Sequence, residues 1–139
     1  MKNNIENEIW YENVLIAKII NFNSLKKGLH FFTNNESFMQ FGAWNYDKGK
    51  ELEPHFHNTF ERVSNITQEA VVVIKGKIKC ELYEKNGNFI SSHVLQKNQA
   101  IIQFGLVHKY IILKKSLILE FKNGPYFGPE KDRTRIKIN

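Results

Sequence analysis

The chain has 139 residues, 42% of them hydrophobic and 24% charged, which is enough for one domain with one substantial core. Its formal net charge is +6, but the lysines are scattered beside turns and no nucleic-acid motif accompanies them, so nucleic acid is not expected as a partner. A single cysteine excludes an intramolecular disulfide framework, and no apolar run reaches the roughly 20 residues of a membrane helix.

The polar start carries no apolar signal segment, so a cytoplasmic protein without a membrane partner is expected. Residues 1–13 read as an arm or a short helix, anchored by Trp10 and Tyr11. From Val14 onward the chain reads as strands. Val14–Ile20, Leu29–Thr33 and Phe38–Trp44 are short and rich in β-branched or aromatic residues, with turn chemistry at Asn34–Ser37 and Tyr46–Lys50. Glu51–His57 alternates, which places Glu51, Glu53, His55 and His57 on one face of a predicted strand. Asn58–Thr67 is polar and predicts a loop.

Glu69–Ile74 is almost continuously apolar after its first residue, as in a strand covered on both faces, and Gly76 ends it. Lys77–Tyr83 alternates, Asn86-Gly87 is a hairpin turn, and Phe89–Leu95 returns. Ala100–Phe104, Val107–Leu113 and Leu117–Lys122 complete the series, with a turn at Lys114–Ser116. Gly124–Asn139 reads as a tail laid over the body, its basic end at Lys131–Lys137 solvated. Strands at this spacing predict an all-β sandwich or barrel in one domain, with core motifs over residues 44–122 and the tail over 123–139.

Four residues stand out as donors for a divalent metal. His55 and His57 are two apart on a predicted strand, so their imidazoles point the same way. Glu69 begins a doubly covered strand, where an ionised carboxylate needs a partner. His108 follows the Gly105 turn and shares a face with Tyr110 and Ile112. Three imidazoles and one carboxylate form a mixed shell suited to Fe, Mn, Ni, Zn or Co.

These residues resemble the motifs of the cupins. His55-Phe56-His57, then Glu69, then six residues and Gly76, is similar to the first cupin motif. Gln103-Phe104-Gly105-Leu106-Val107-His108 stands where the second motif has Pro-x-Gly-x-x-His. The departures are an eleven-residue gap between His57 and Glu69, Gln103 in place of proline, no glycine near Lys97-Asn98 to open the second motif, and Ile112 in place of a closing asparagine. The long gap makes Glu61 a rival to Glu69, but only Glu69 keeps the distance to Gly76. The resemblance covers about Trp44 to Phe121. It implies a double-stranded β-helix, or jelly-roll barrel, that holds one divalent transition metal on His55, His57, Glu69 and His108.

His57-Asn58, Glu61-Arg62, Thr67-Gln68-Glu69, Gly76-Lys77 and Asn123-Gly124-Pro125-Tyr126 also look like small single-domain cupins associated with bacterial carbohydrate or surface-polysaccharide biosynthesis. That resemblance implies a small polar, carbohydrate-like substrate and isomerase or epimerase chemistry. The alternatives are a metal-dependent dioxygenase and a non-catalytic module that binds a sugar or small acid. Tyr110 and Glu61 are the expected acid or base groups, and Arg62 and His93 the expected substrate contacts. A homodimer is expected, with Val14–Ile20 near its interface, because one barrel interior covers only one face of each strand.

Overall fold

The N-terminal strands Glu6–Tyr11 (β1) and Val14–Asn21 (β2) pair, with one register shift between Ile9 and Trp10, through a two-residue turn, Glu12-Asn13, in which both residues have positive φ. Of the segment 1–13 expected to be an arm or short helix, Glu6–Asn13 is therefore one strand and the turn of a hairpin, and residues 1–3 lie outside the described residues. Only Asn13 is an ordinary residue for that turn, and Glu12 hid it from the sequence. The structure, a computed structural model, describes residues 4–139.

The remaining strands are Gly28–Phe31 (β3), Gly42–Asn45 (β4), Glu69–Tyr83 (β5), Phe89–Gln96 (β6), Gln99–Gln103 (β7) and Val107–Lys122 (β8). A four-residue helix, Pro129–Asp132 (α1), follows. All strand pairs are antiparallel. Six strands form one sheet, ordered β1-β2-β7-β5-β6 with β8 on the other edge of β5, while β3 and β4 form a separate pair. The fold is all-β, and among the described residues the six-stranded sheet stays open, because β1, β6 and β8 each have one partner there. No helix of the described residues is long and apolar enough to cross a membrane.

The first half of β5 is covered on both faces, as its apolar run requires. Val71 and Val73 join Ile9, Ile16, Ile101 and Leu95 on one face. Ala70 and Val72 meet Ile20, Ile102, Phe32 and Met39 on the other, under the aromatic group of Phe22, Phe32 and Phe41.

Two strands are longer than the sequence suggests. β5 continues through Gly76, and β8 continues through Lys114–Ser116, where a turn was expected. The ladder between them is irregular here, with register shifts from Val73 to Ile78. Gly76 has φ +94°, and a Cβ on it would lie 2.2 Å from Ser116 Oγ and 2.4 Å from the Lys115 carbonyl oxygen. Glycine is therefore needed both for the backbone angle and for the close approach of β8.

The irregularity bends the β5–β8 ribbon. Residues 69 and 82 would be about 43 Å apart on a straight strand. Yet Gln103, paired with Glu69, reaches Cys80 Sγ at 3.3 Å, and His108, paired with Leu82, reaches Glu69. The two ends of β5 face each other across the bend.

Glu51–His57, expected as a strand, has no regular secondary structure, and residues 44–66 are exposed throughout. A strand needs a neighbour to satisfy its backbone, and this chain supplies none: among the described residues, 51–66 make no backbone–backbone hydrogen bond to another segment. The tail does cross the body, as expected. Asn123 clamps Gln68 through Oδ1 at 2.7 Å, Asp132 accepts from Thr67 Oγ1 at 2.9 Å, and the Asn139 amide reaches the Gly87 carbonyl at 3.1 Å.

Candidate functional site

The bend builds a polar cluster from both ends of β5 and its neighbours. Glu69 is 7% exposed. Its Oε1 lies 3.2 Å from His108 Nε2 and makes a long contact, 3.5 Å, with the Tyr110 hydroxyl. Its Oε2 lies 3.7 Å from Lys122 Nζ, the residue opposite it in the ladder. Burial raises the affinity of Glu69 for a proton, but the His108 hydrogen bond and the charges of His108 and Lys122 outweigh it. The carboxyl is held below the ordinary carboxylate range.

Gln103 supports this cluster from beneath. Its Nε2 donates to Tyr110 Oη at 3.3 Å and to Cys80 Sγ at 3.3 Å, while its Oε1 is buried without a partner among the described residues. Burial pushes the Tyr110 hydroxyl well above its ordinary value and the Cys80 thiol up to about 12. Tyr110 therefore stays protonated and serves as a hydrogen-bond donor rather than a base. Cys80 is a packed thiol and not a nucleophile.

The cluster opens into a cleft of about 1270 Å³ between the sheet and the tail. Its wall carries Lys85, Lys109, Lys122, Lys131, Arg133 and Arg135 against Glu69 and Asp132. The basic end of the tail is exposed, as expected, and its Lys131, Arg133 and Arg135 also form a wall of the cleft. Its signal was the alternation of Arg133, Arg135 and Lys137, which suits an extended segment. The Asn86-Gly87 turn receives the end of the tail so closely that a Cβ on Gly87 would lie 2.3 Å from the Lys137 carbonyl oxygen. Gln103 was a second missed contributor. A lone amide closing the apolar run Ala100–Ile102 was its signal.

The expected metal ligands fall into two groups. Glu69 and His108 come together, and a carboxylate oxygen and ring nitrogen 3.2 Å apart fit neighbouring donors on one ion, which are about 3 Å apart for bonds of 2.0–2.2 Å. His55 and His57 face each other edge to face, with ring centroids 5.2 Å apart, on the exposed segment. His55 Nδ1 contacts only the Glu53 carbonyl, at 3.1 Å. Neither histidine lines the cleft, and among the described residues no three His, Cys, Asp or Glu side chains gather as a metal group. The donor types fit a divalent metal, but one chain brings only half of them to the same place.

The other expected contacts also separate. Glu61 and Arg62 lie on the exposed segment, where the Arg62 guanidinium stacks 3.7 Å from the Phe60 ring centroid. His93 pairs with Cys80 in the β5–β6 ladder and meets Ser91 Oγ at 3.0 Å. It borders a different hollow, of about 390 Å³, beside β2, and its burial lowers its proton affinity. Of the expected catalytic and substrate residues, Tyr110 alone belongs to the Glu69 cluster. The chain matches no protein-family model, no curated protein and no solved structure.

Proposed function

We propose that this chain is a metal-binding protein of the cupin type, acting on a small anionic, carbohydrate-like molecule by isomerase or epimerase chemistry. The observation that carries this reading is the Glu69–His108 pair at the base of a cleft walled by basic side chains. An ionised carboxylate beside an imidazole is a mixed donor pair for a divalent transition metal. A metal held there supplies Lewis-acid polarisation of a carbonyl or enediol oxygen.

The chain's own groups have definite parts in this reading. Lys122, Arg133 and Arg135 attract and orient an anionic group such as phosphate or carboxylate. The protonated Tyr110 hydroxyl donates to a substrate oxygen in place of its long contact with Glu69. Isomerisation or epimerisation moves one proton off carbon and returns one, so it needs no oxidant or co-reactant. The base has to come from outside the buried cluster, and Asp132 is the other carboxylate that lines the cleft, whereas Glu61 does not line it.

The second reading is a non-catalytic module that senses a sugar or small acid. What favours it is that the groups of the cluster are already partnered with one another: His108 with Glu69, and Tyr110 with Gln103. Elemental analysis of protein purified without chelator, joined to a thermal-shift screen of sugar phosphates, nucleotide sugars and hydroxy acids, tests the reading. About one metal per chain, with stabilisation by anionic sugars, supports it. Turnover of a stabilising ligand separates the enzyme from the sensor. Absence of metal, or stabilisation by apolar compounds alone, overturns it.

A further inference from the structure

We propose that residues 51–57 of one copy of this chain pair with the open edge of β8 in a second copy, which carries His55 and His57 to the Glu69–His108 pair of that partner. This rests on the metal-binding reading for its consequence, though not for the pairing itself.

The two surfaces are each incomplete in one chain. Residues 51–57 alternate like a strand but make no backbone–backbone hydrogen bond to another segment among the described residues. Phe56 between the two histidines is 85% exposed, and Phe60 and Val63 beyond it are also exposed. β8 is sixteen residues long, and β5 is its one partner, so a full row of amide and carbonyl groups faces outward. Long open edges are pairing templates, and the lysines along β8 deter a neutral or basic strand but suit an acidic one. Leu117, Leu119 and Phe121 of β8 alternate along the strand, and all three are exposed. The other open edges are shorter: β1 has six residues, two of them Glu, and β6 has eight. β2, where a dimer contact was expected, has both edges paired by β1 and β7.

Charge selects the occupant. Residues 51–57 carry Glu51 and Glu53 with no lysine or arginine, whereas β8 carries Lys109, Lys114, Lys115 and Lys122 against Glu120. The acidic segment and the basic edge complement each other, so a second copy of the same chain supplies what the first lacks. Addition of a strand to a sheet edge places neighbouring backbones about 4.8 Å apart. His108 lies at the start of that edge, so histidines on an added strand come within reach of it. The exchange is reciprocal, and a twofold dimer then holds two composite sites.

Two measurements test this. Light scattering on dilution should show a wild-type dimer at tens of micromolar, and Phe56→Lys, on a side chain exposed in the single chain, should weaken dimerisation at least tenfold. The second measurement mixes His55→Ala/His57→Ala with Glu69→Ala/His108→Ala, refolded together, and counts bound metal. Neither variant alone should bind, but the mixture should regain about a quarter of the wild-type metal, since half of its dimers contain one intact composite site. A monomeric wild type, or an unchanged dimer constant in Phe56→Lys, overturns the exchange. So does a mixture without metal when wild type binds it. A wild-type dimer that binds no metal defeats the metal reading instead, and the Phe56→Lys dilution then decides the pairing by itself.

Discussion

Glu69 Oε1 and His108 Nε2 lie 3.2 Å apart although His108 sits opposite Leu82, thirteen residues along β5 from Glu69. A straight ribbon would hold them about 43 Å apart. The contact exists because β5 and β8 bend together where Gly76 meets Ser116. The bend is therefore the feature on which the cluster depends.

Gly76→Ala tests that dependence. The new Cβ would strike backbone atoms of Lys115 and Ser116, and φ +94° strains any L side chain. We expect a loss of about 2–4 kcal/mol in denaturant unfolding, from backbone strain together with overpacking. The surviving fold should show weakened contact between Glu69 and His108, read as a rise of the Glu69 titration midpoint by NMR. A variant as stable as wild type would mean that the ribbon bends without Gly76.

Glu69 predicts a pH dependence. Its native proton affinity lies below that of the unfolded chain, so it contributes stability that is fully present above the unfolded value, about pH 4.3. That contribution is lost as pH falls through the lower native value. Glu69→Gln should therefore be less stable than wild type at neutral pH, with the gap closing below about pH 4. A gap that stays constant to pH 3 would show that the carboxylate charge is not what His108 and Lys122 stabilise.

Cys80 is fully buried and its thiol is pushed up to about 12, first by burial. In the native protein at pH 8 it should be inert to a thiol-specific reagent over the time in which the urea-unfolded chain reacts completely. Rapid reaction of the folded chain would mean that the β5–β6 face opens readily.

The carboxylates can be ranked. Glu69→Ala should lower metal affinity by at least a hundredfold, because it removes the buried donor beside His108. Glu61→Ala should change it less than threefold. A competition titration against a chelator gives both values, and the reverse order would move the ligand role to Glu61.

The basic wall predicts ligand preference. Arg133→Ala/Arg135→Ala should weaken binding of a phosphate-bearing sugar at least tenfold, since each charge-assisted hydrogen bond is worth about 1.5–3 kcal/mol. Neutral sugars should be unaffected. Equal losses for both ligand classes, measured by calorimetry, would make the two arginines structural.

The sequence by itself determined that the chain is all-β and located β2 and the apolar half of β5, because a two-residue alternation and an unbroken apolar run state how a strand's faces are covered. Val71 and Val73 against Ala70 and Val72 show this for β5, which is buried on both faces as its composition requires. The sequence also singled out Glu69, His108 and Tyr110. Local pattern could not decide what meets across the sheet. It read Gly76 as a strand end, because a glycine that stops a strand and one that bends it look alike until Ser116 is beside it. It read Glu51–His57 as a strand from alternation alone, whereas a strand also needs a neighbour, and one chain offers that segment none. The tail's arginines became a wall of the cleft only through Asn123, Asp132 and Asn139, which bond to the distant Gln68, Thr67 and Gly87. These relationships depend on closing long loops and filling shared space, so they belong to the tertiary structure and to no local stretch of residues.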